Sequence, residues 1–285
     1  MPSLPWALIS PASRGIGLEL SRRLLQTTDL HIVATARNDV QGARSCILEG
    51  INVDDRRLEV LPVDVTGISP TSPFNTSTNH PLTNSADEST IISAASACGD
   101  RFKSTHLHLA FLVPGILHPE RSPSQINASQ ALATFQTNAL GPLLLAKHFI
   151  PFLPKRSTAL PLLQYQMANV PSHAVMALMS ARVGSISDNK LGGWYSYRAS
   201  KAAVNSIARS IDIFLQQQAR DKAMCIAMHP GTVKTGLSEE FWGNVKEDKL
   251  FSPEFAAERL IKVVENLNVQ DRGKCWDWEG KEIAP

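Results

Sequence analysis

Tyr197 and Lys201 stand four residues apart in Tyr197-Arg198-Ala199-Ser200-Lys201. On a helix, that spacing puts both side chains on one face. A free phenol, with a pKa of about 10, is a poor acid–base group at neutral pH. A nearby ammonium stabilises the phenolate and lowers that value. Such a pair can protonate a carbonyl oxygen as hydride reaches the carbon, or take the proton from an alcohol. The spacing alone is common on exposed helix faces. Tyr195 is an internal control, because Ala199 stands four residues beyond it.

A second set of residues lies near the N-terminus. The apolar run Trp6-Ala7-Leu8-Ile9 leads into Ser10-Pro11-Ala12-Ser13-Arg14-Gly15-Ile16-Gly17, and a helical pattern follows. A helix that starts there presents free N–H groups and a partial positive charge, which suit a phosphate. Gly15 and Gly17 let backbone approach a ligand closely, with Ser13, Arg14 and Ile16 completing the turn. A glycine pair is a weak signal that gains from its place directly after the first strand. Arg37 follows the second apolar run. A carboxylate there would hold the ribose 2′-OH of NAD, whereas an arginine suits the 2′-phosphate of NADP. Asp39, two residues on, makes NADP a preference only, and both arginines also read as solvated surface charges. Asp64 can accept from an adenine amino group or serve as a plain turn residue. His106 and His108 form an H-x-H pair with no third metal ligand suggested, so no metal site is expected.

These residues need elements to position them. Six short apolar runs read as strands: 6–9, 31–36, 58–63, 107–113, 174–179 and 224–228. Helical patterns lie after the first run and at about 90–98, 128–149, 197–219 and 253–267. Continuous apolar strands alternating with amphipathic helices predict a parallel sheet covered on both faces. Right-handed crossovers make it a doubly wound α/β sheet of Rossmann type. Residues 67–86 and 155–173 break the rhythm and read as irregular insertions within one domain spanning 1–285.

Composition bounds the rest. The chain has 285 residues, 43% of them hydrophobic, and a formal net charge of +2. That is enough apolar material for a sizeable core and too little charge for a dedicated nucleic-acid binder. Cys46, Cys98, Cys225 and Cys275 are too scattered for a disulfide framework or a common zinc site. No signal peptide or membrane span is read, which predicts a cytoplasmic protein.

Together the motifs resemble the short-chain dehydrogenase/reductases, and more closely the C-factor-like and sniffer-like carbonyl reductases. The segments are SRGIG (13–17), DVT (64–66), NALGPLLLAKHF (138–149), RVGSISDN (182–189), GGWYSYRASKAAVN (192–205) and HPGTVKTGLS (229–238), with GKCWDWEGKEIAP (273–285) as a closing strand. The resemblance implies Tyr197 as proton donor and Lys201 as the group that lowers its pKa and holds the nicotinamide ribose. It implies that Asn138 anchors a water in the proton relay. The segment Pro230 to Thr235, with Val233 and Thr235, would pack on the nicotinamide. Residues 236–252 match the variable substrate loop, in which Leu237, Phe241 and Trp242 suggest an apolar wall. Dimers or tetramers through the helices at 128–149 and 197–219 are the family's habit.

Three positions depart from the family pattern. Ser10-Pro11 replaces Thr-Gly, and Leu112-Val113-Pro114-Gly115 replaces Asn-Asn-Ala-Gly. Ala181 stands where the family has its catalytic serine. Of the nearby hydroxyls, Ser180 should face away, so Ser185 is the preferred substitute. The expectation is an NADP(H)-dependent oxidoreductase interconverting a carbonyl and a secondary alcohol. The rival is a dinucleotide-binding sensor or scaffold of the same fold with little catalysis.

Overall fold

The computed structural model describes residues 4–66, 88–160 and 169–285. The insertion at 67–86 lies outside these residues, as does 161–168 of the second one. The strands are β1 (Trp6–Ser10), β2 (His31–Ala36), β3 (Leu58–Pro62), β4 (Leu107–Leu112), β5 (Ala174–Met179), β6 (Ala223–His229), β7 (Thr232–Val233), β8 (Leu250–Phe251), β9 (Cys275–Asp277) and β10 (Glu282–Ile283). The helices are α1 (Gly15–Thr27), α2 (Val40–Leu48), α3 (Ser89–Arg101), α4 (Ala128–Phe135), α5 (Gly141–Phe149), α6 (Tyr195–Ala219) and α7 (Pro253–Asn266).

Eight strands form one sheet in the order β10-β9-β6-β5-β4-β1-β2-β3. All its pairings are parallel except β10 on β9. The strand order reverses beside β1, the position at which doubly wound sheets open a crevice at the carboxyl ends of their strands. β7 and β8 pair separately, on the substrate-loop side of the chain.

Period-two alternation divides the core. Leu8, Ala110, Leu112, Met176, Leu178 and Cys225 pack with Leu145 and Phe149 of α5 and Val204 and Leu215 of α6. Ile9, Ile32, Phe111, Val175, Ala177 and Ile226 face the other way, against Leu20 and Leu24 of α1 and Leu260 and Val264 of α7. A strand apolar on both faces must have a helix layer on each side. Among the described residues, no helix is long and apolar enough to cross a membrane.

One predicted helix differs from expectation. The pattern at 128–149 resolves into α4, a π turn over Gln136–Leu140, and α5. A π turn takes one extra residue into the helix and is often found at functional sites. Asn138 sits at its centre.

Candidate active site

The carboxyl ends of β1, β4 and β5 converge with the start of α6. Tyr197 and Lys201 lie in the first two turns of α6, both buried. The Lys201 ammonium stands 5.7 Å from the centroid of the Tyr197 ring. Its Nζ donates to the carbonyl of Met179, at the end of β5, at 2.8 Å. Burial lowers the Lys201 pKa to about 8. Burial also raises the Tyr197 phenol above its usual value. The phenol shift is opposite to that expected from a neighbouring ammonium, and its cause is desolvation by burial. Among the described residues, the Tyr197 hydroxyl has no hydrogen-bond partner.

Asn138 is held from two sides. Its Oδ1 accepts the Ile116 N–H at 2.8 Å, and its Nδ2 donates to the Ile116 carbonyl at 2.9 Å. Nδ2 also donates to Ser200 Oγ at 3.0 Å, and Ser200 in turn donates to the Tyr197 carbonyl at 2.8 Å. The helix carrying Asn138 is thereby tied to the helix carrying Tyr197.

Gly115, the glycine retained after β4, lies at the meeting point. A Cβ there would stand 3.4 Å from Leu237 Cδ1, 3.7 Å from Lys201 Nζ and 4.0 Å from Asn138 Oδ1. It opens a space bounded by an ammonium, an amide oxygen and an apolar side chain.

The glycine-rich turn reaches the same end of the sheet. Gly15 has φ +57°, and its missing Cβ would meet Thr235 Cγ2 at 3.2 Å. At Gly17 a Cβ would fall 1.9 Å from the carbonyl oxygen of Pro11, so only glycine fits. Pro11 itself follows a cis peptide bond. Ser13 and Arg14 are exposed and Ile16 half-buried, and Arg14, the residue before α1, offers no side-chain cap. The first N–H groups of α1 are therefore not capped by a side chain. Val233 is buried, and its carbonyl accepts the Ser238 hydroxyl at 2.5 Å.

Arg37 is exposed after β2. Asp39, its competitor in the sequence reading, caps α2 by accepting the Gly42 N–H at 2.7 Å. Arg14 and Arg37 make no ion pair among the described residues. Asp64 Oδ1 accepts the Thr66 N–H at 2.8 Å and the Thr66 hydroxyl at 2.6 Å, closing its own turn.

Ser185 stands apart from this cluster. Its hydroxyl accepts the Asp188 N–H at 3.1 Å and lies 3.4 Å from the Pro285 carbonyl and 3.3 Å from Ser187 Oγ. It closes the loop after β5 and makes no hydrogen bond to Tyr197 or Lys201 among the described residues. Ser180 donates to the Lys201 carbonyl at 3.1 Å, so it faces the helix backbone. Ala181 is buried and extended, with no hydroxyl to offer. His106 and His108 are buried, with ring nitrogens 3.2 Å apart, and His108 Nε2 donates to the Pro171 carbonyl at 2.8 Å.

The substrate-loop residues divide. Leu237 faces Gly115, and Phe241 packs on Trp194 at 4.8 Å. Trp242 is a loop anchor instead, its indole N–H donating to Ser238 Oγ at 2.8 Å. Trp194 itself meets the Tyr197 ring edge-on, with centroids 6.1 Å apart. Trp194, Glu120 and Gly184 carry no spacing signal as site residues. Only proximity to Tyr197 and Lys201 in the fold brings them forward.

No family model matches the chain. Over 107 residues it is 37% identical to a 1-hydroxy-2-glutathionyl-2-methyl-3-butene dehydrogenase of Rhodococcus sp. (strain AD45), a match covering 38% of this chain and 45% of the relative. Over 150 residues it is 31% identical to the C-signal protein of Myxococcus xanthus, covering 53% of this chain and 75% of the relative. Among solved structures, the NADPH-bound carbonyl reductase from chicken fatty liver aligns with a TM-score of 0.76 at 27% identity, over 99% of both chains. The carbonyl reductase Sniffer of D. melanogaster has the same fold, with a TM-score of 0.76 at 22% identity, over 99% of this chain and 100% of that one. With the doubly wound sheet and the Tyr197–Lys201 helix, these matches place the chain in the short-chain dehydrogenase/reductase family of oxidoreductases.

Proposed function

We propose that the protein is an NADP(H)-dependent reductase or dehydrogenase that interconverts a carbonyl and a secondary alcohol. The observation that carries this reading is the space above Gly115, where Lys201 Nζ, Asn138 Oδ1 and Leu237 converge beside buried Tyr197.

The residues fit a nicotinamide dinucleotide. Gly15 and Gly17 strip side chains from the turn before α1, where the N-terminal charge favours a pyrophosphate. Arg14 and Arg37, exposed and without an ion pair among the described residues, suit a 2′-phosphate, while Asp39 is engaged by α2. Thr235 stands beside Gly15, and with Val233 it would face the nicotinamide end, as the resemblance implies. When bound, the nicotinamide supplies or accepts the hydride. Tyr197 gives its phenolic proton to the carbonyl oxygen, or takes one from the alcohol. Lys201 holds positive charge near the phenol and orients the ribose hydroxyls, with Met179 fixing its Nζ. Asn138 keeps the loop after β4 in place and leaves a lone pair on Oδ1 for a relay water. The similar carbonyl reductase from chicken fatty liver is NADPH-bound, which supports the same cofactor class here.

A second reading, a dinucleotide-binding protein of weak catalysis, is favoured by one observation. Ser180 and Ser185 are both engaged elsewhere, and Ala181 supplies no hydroxyl to the substrate oxygen. Loss of one such donor in other enzymes costs about 10²–10³ in rate, so slow turnover is compatible with the first reading.

Fluorescence titration of the purified protein with NADPH and NADH tests the cofactor, and Tyr197→Phe tests the chemistry. Tight NADPH binding and weaker NADH binding are expected, with the variant binding NADPH but not reducing carbonyls. Failure to bind either nucleotide, or equal turnover by the variant, overturns the assignment.

A further inference from the structure

Glu120 is 2% exposed, and among the described residues it pairs with no cation. All its bonds go to the segment that opens α6, more than 70 residues further along the chain. Its main-chain carbonyl accepts the Trp194 N–H at 2.6 Å. Its Oε2 accepts the Ser196 N–H at 2.8 Å, and its Oε1 accepts the Ser196 hydroxyl at 2.5 Å. A buried carboxylate needs several hydrogen bonds or a positive partner. Here the partner is the N-terminal end of a 25-residue helix. The residue at the N-cap, Trp194, contributes no side-chain cap of its own. Glu120 supplies it from a distant loop.

The turn held this way is unusual. Gly192, Gly193 and Trp194 have φ of +64°, +66° and +49° in succession. A left-handed tryptophan persists only where its surroundings enforce it. Arg198 braces the other side, donating from Nε to the carbonyls of Gly192 at 3.2 Å and Gly193 at 3.0 Å. So placed, the Trp194 ring contacts Tyr197 and Phe241 and lines a cavity of 180 Å³ with Arg121 and Gln125.

We propose that Glu120 is a positioning residue of this site: by fixing the first turn of α6 it sets where the Tyr197 hydroxyl stands and how Trp194 walls the adjoining cavity. It touches neither substrate nor cofactor, and its role rests on the reading of Tyr197 as proton donor.

The test compares the full chain with Glu120→Ala, Glu120→Gln and Tyr197→Phe. Glutamine keeps an oxygen for the Ser196 N–H, and its amide can donate to the Ser196 hydroxyl. Ultraviolet difference titration follows the three tyrosines without cofactor. The step missing in Tyr197→Phe reports Tyr197. In the unchanged chain it should lie above the ordinary range of about 10. Glu120→Ala should move it down by about one pH unit or more as water enters, and Glu120→Gln should restore it. With NADPH and any carbonyl from a panel that is turned over, Glu120→Ala should lose about tenfold in kcat with NADPH affinity unchanged, and Glu120→Gln should recover it. An unmoved Tyr197 titration in folded Glu120→Ala overturns the proposal. Where that variant does not fold, Ser196→Ala is read by the same titration, and an unmoved step again overturns it. If no carbonyl is turned over by the unchanged chain, the reductase reading falls, and the titration still decides the role of Glu120.

Discussion

Gly184 and Lys201 touch backbone to backbone. A Cβ on Gly184 would lie 2.7 Å from the Lys201 carbonyl carbon and 2.9 Å from the Ala202 nitrogen. The short turn after β5 can therefore press against α6 only because residue 184 lacks a side chain. The position of Lys201 depends on that contact.

Gly184→Ala should accordingly push the Lys201 turn of α6 outward. Because backbone rather than a flexible side chain meets the new methyl, the strain cannot be relieved cheaply. We expect a loss in kcat of about tenfold or more, with a smaller change in NADPH affinity, since on the proposed reading Arg14 and Arg37 would hold the nucleotide's 2′-phosphate away from this turn. Steady-state kinetics with an active carbonyl, together with an NADPH titration, checks this. Unchanged kcat in a folded variant would refute it.

Ala181→Ser should return a hydroxyl to the position where the family carries one. Ala181 has extended backbone, which serine adopts freely. The new donor would face the developing charge on the substrate oxygen, and kcat should rise by about 10–10². No gain would mean that another group already fills this role.

Two glycine substitutions should fail in different ways. Gly17→Ala places a methyl 1.9 Å from the Pro11 carbonyl oxygen, so it should destabilise the fold itself. Gly115→Ala meets neighbours only at ordinary contact distances, so the apo protein should keep its melting temperature. Its methyl would occupy the space next to Lys201 and Asn138, however, and NADPH binding should weaken by tenfold or more, on the order of 1.4 kcal/mol. Thermal melts and titrations on both variants separate the effects. Equal melting losses for both would contradict the placement.

Stability should fall in acid because of buried histidines. Burial lowers His106 and His229 to about 4 and His108 to about 3. In the unfolded chain they titrate near 6.5. Above that value both states are neutral and the stability is intact. As pH falls from about 6.5 towards 4, the unfolded state takes up protons first, and each histidine can remove up to about 1.4 kcal/mol per pH unit. Urea denaturation at several pH values should show this slope, and His229→Asn should make it shallower. A slope indifferent to that substitution would show that His229 is not buried in its neutral form.

The sheet was legible because its strands are continuous apolar runs, as in Trp6–Ile9 and Ala174–Met179, and burial on both faces leaves no other use for such runs. The short strands β7 and β8 and the helix α2 were not, since two to nine residues of mixed polarity give no period to read. Tyr197, Lys201 and the glycines were proposed from spacing and from their place after strands, and the fold brings them to the same end of the sheet. Ser185 was picked from proximity in sequence, which does not report that the loop after β5 turns its hydroxyl towards Pro285. Glu120 had no local signal at all, because its partners are far along the chain. Desolvation of Tyr197 likewise depends on everything packed round it, which spacing does not report.

The pairing of Asn138 with Ile116 has a mechanical meaning. One amide gives and takes a hydrogen bond with the same residue's main chain, as a neighbouring strand would. The side chain acts as a strand one residue long and carries the sheet's ladder a rung past the end of β4. The loop that follows β4 is therefore tethered at Ile116, although Leu112, Val113 and Pro114 bring no polar side chains to pin it.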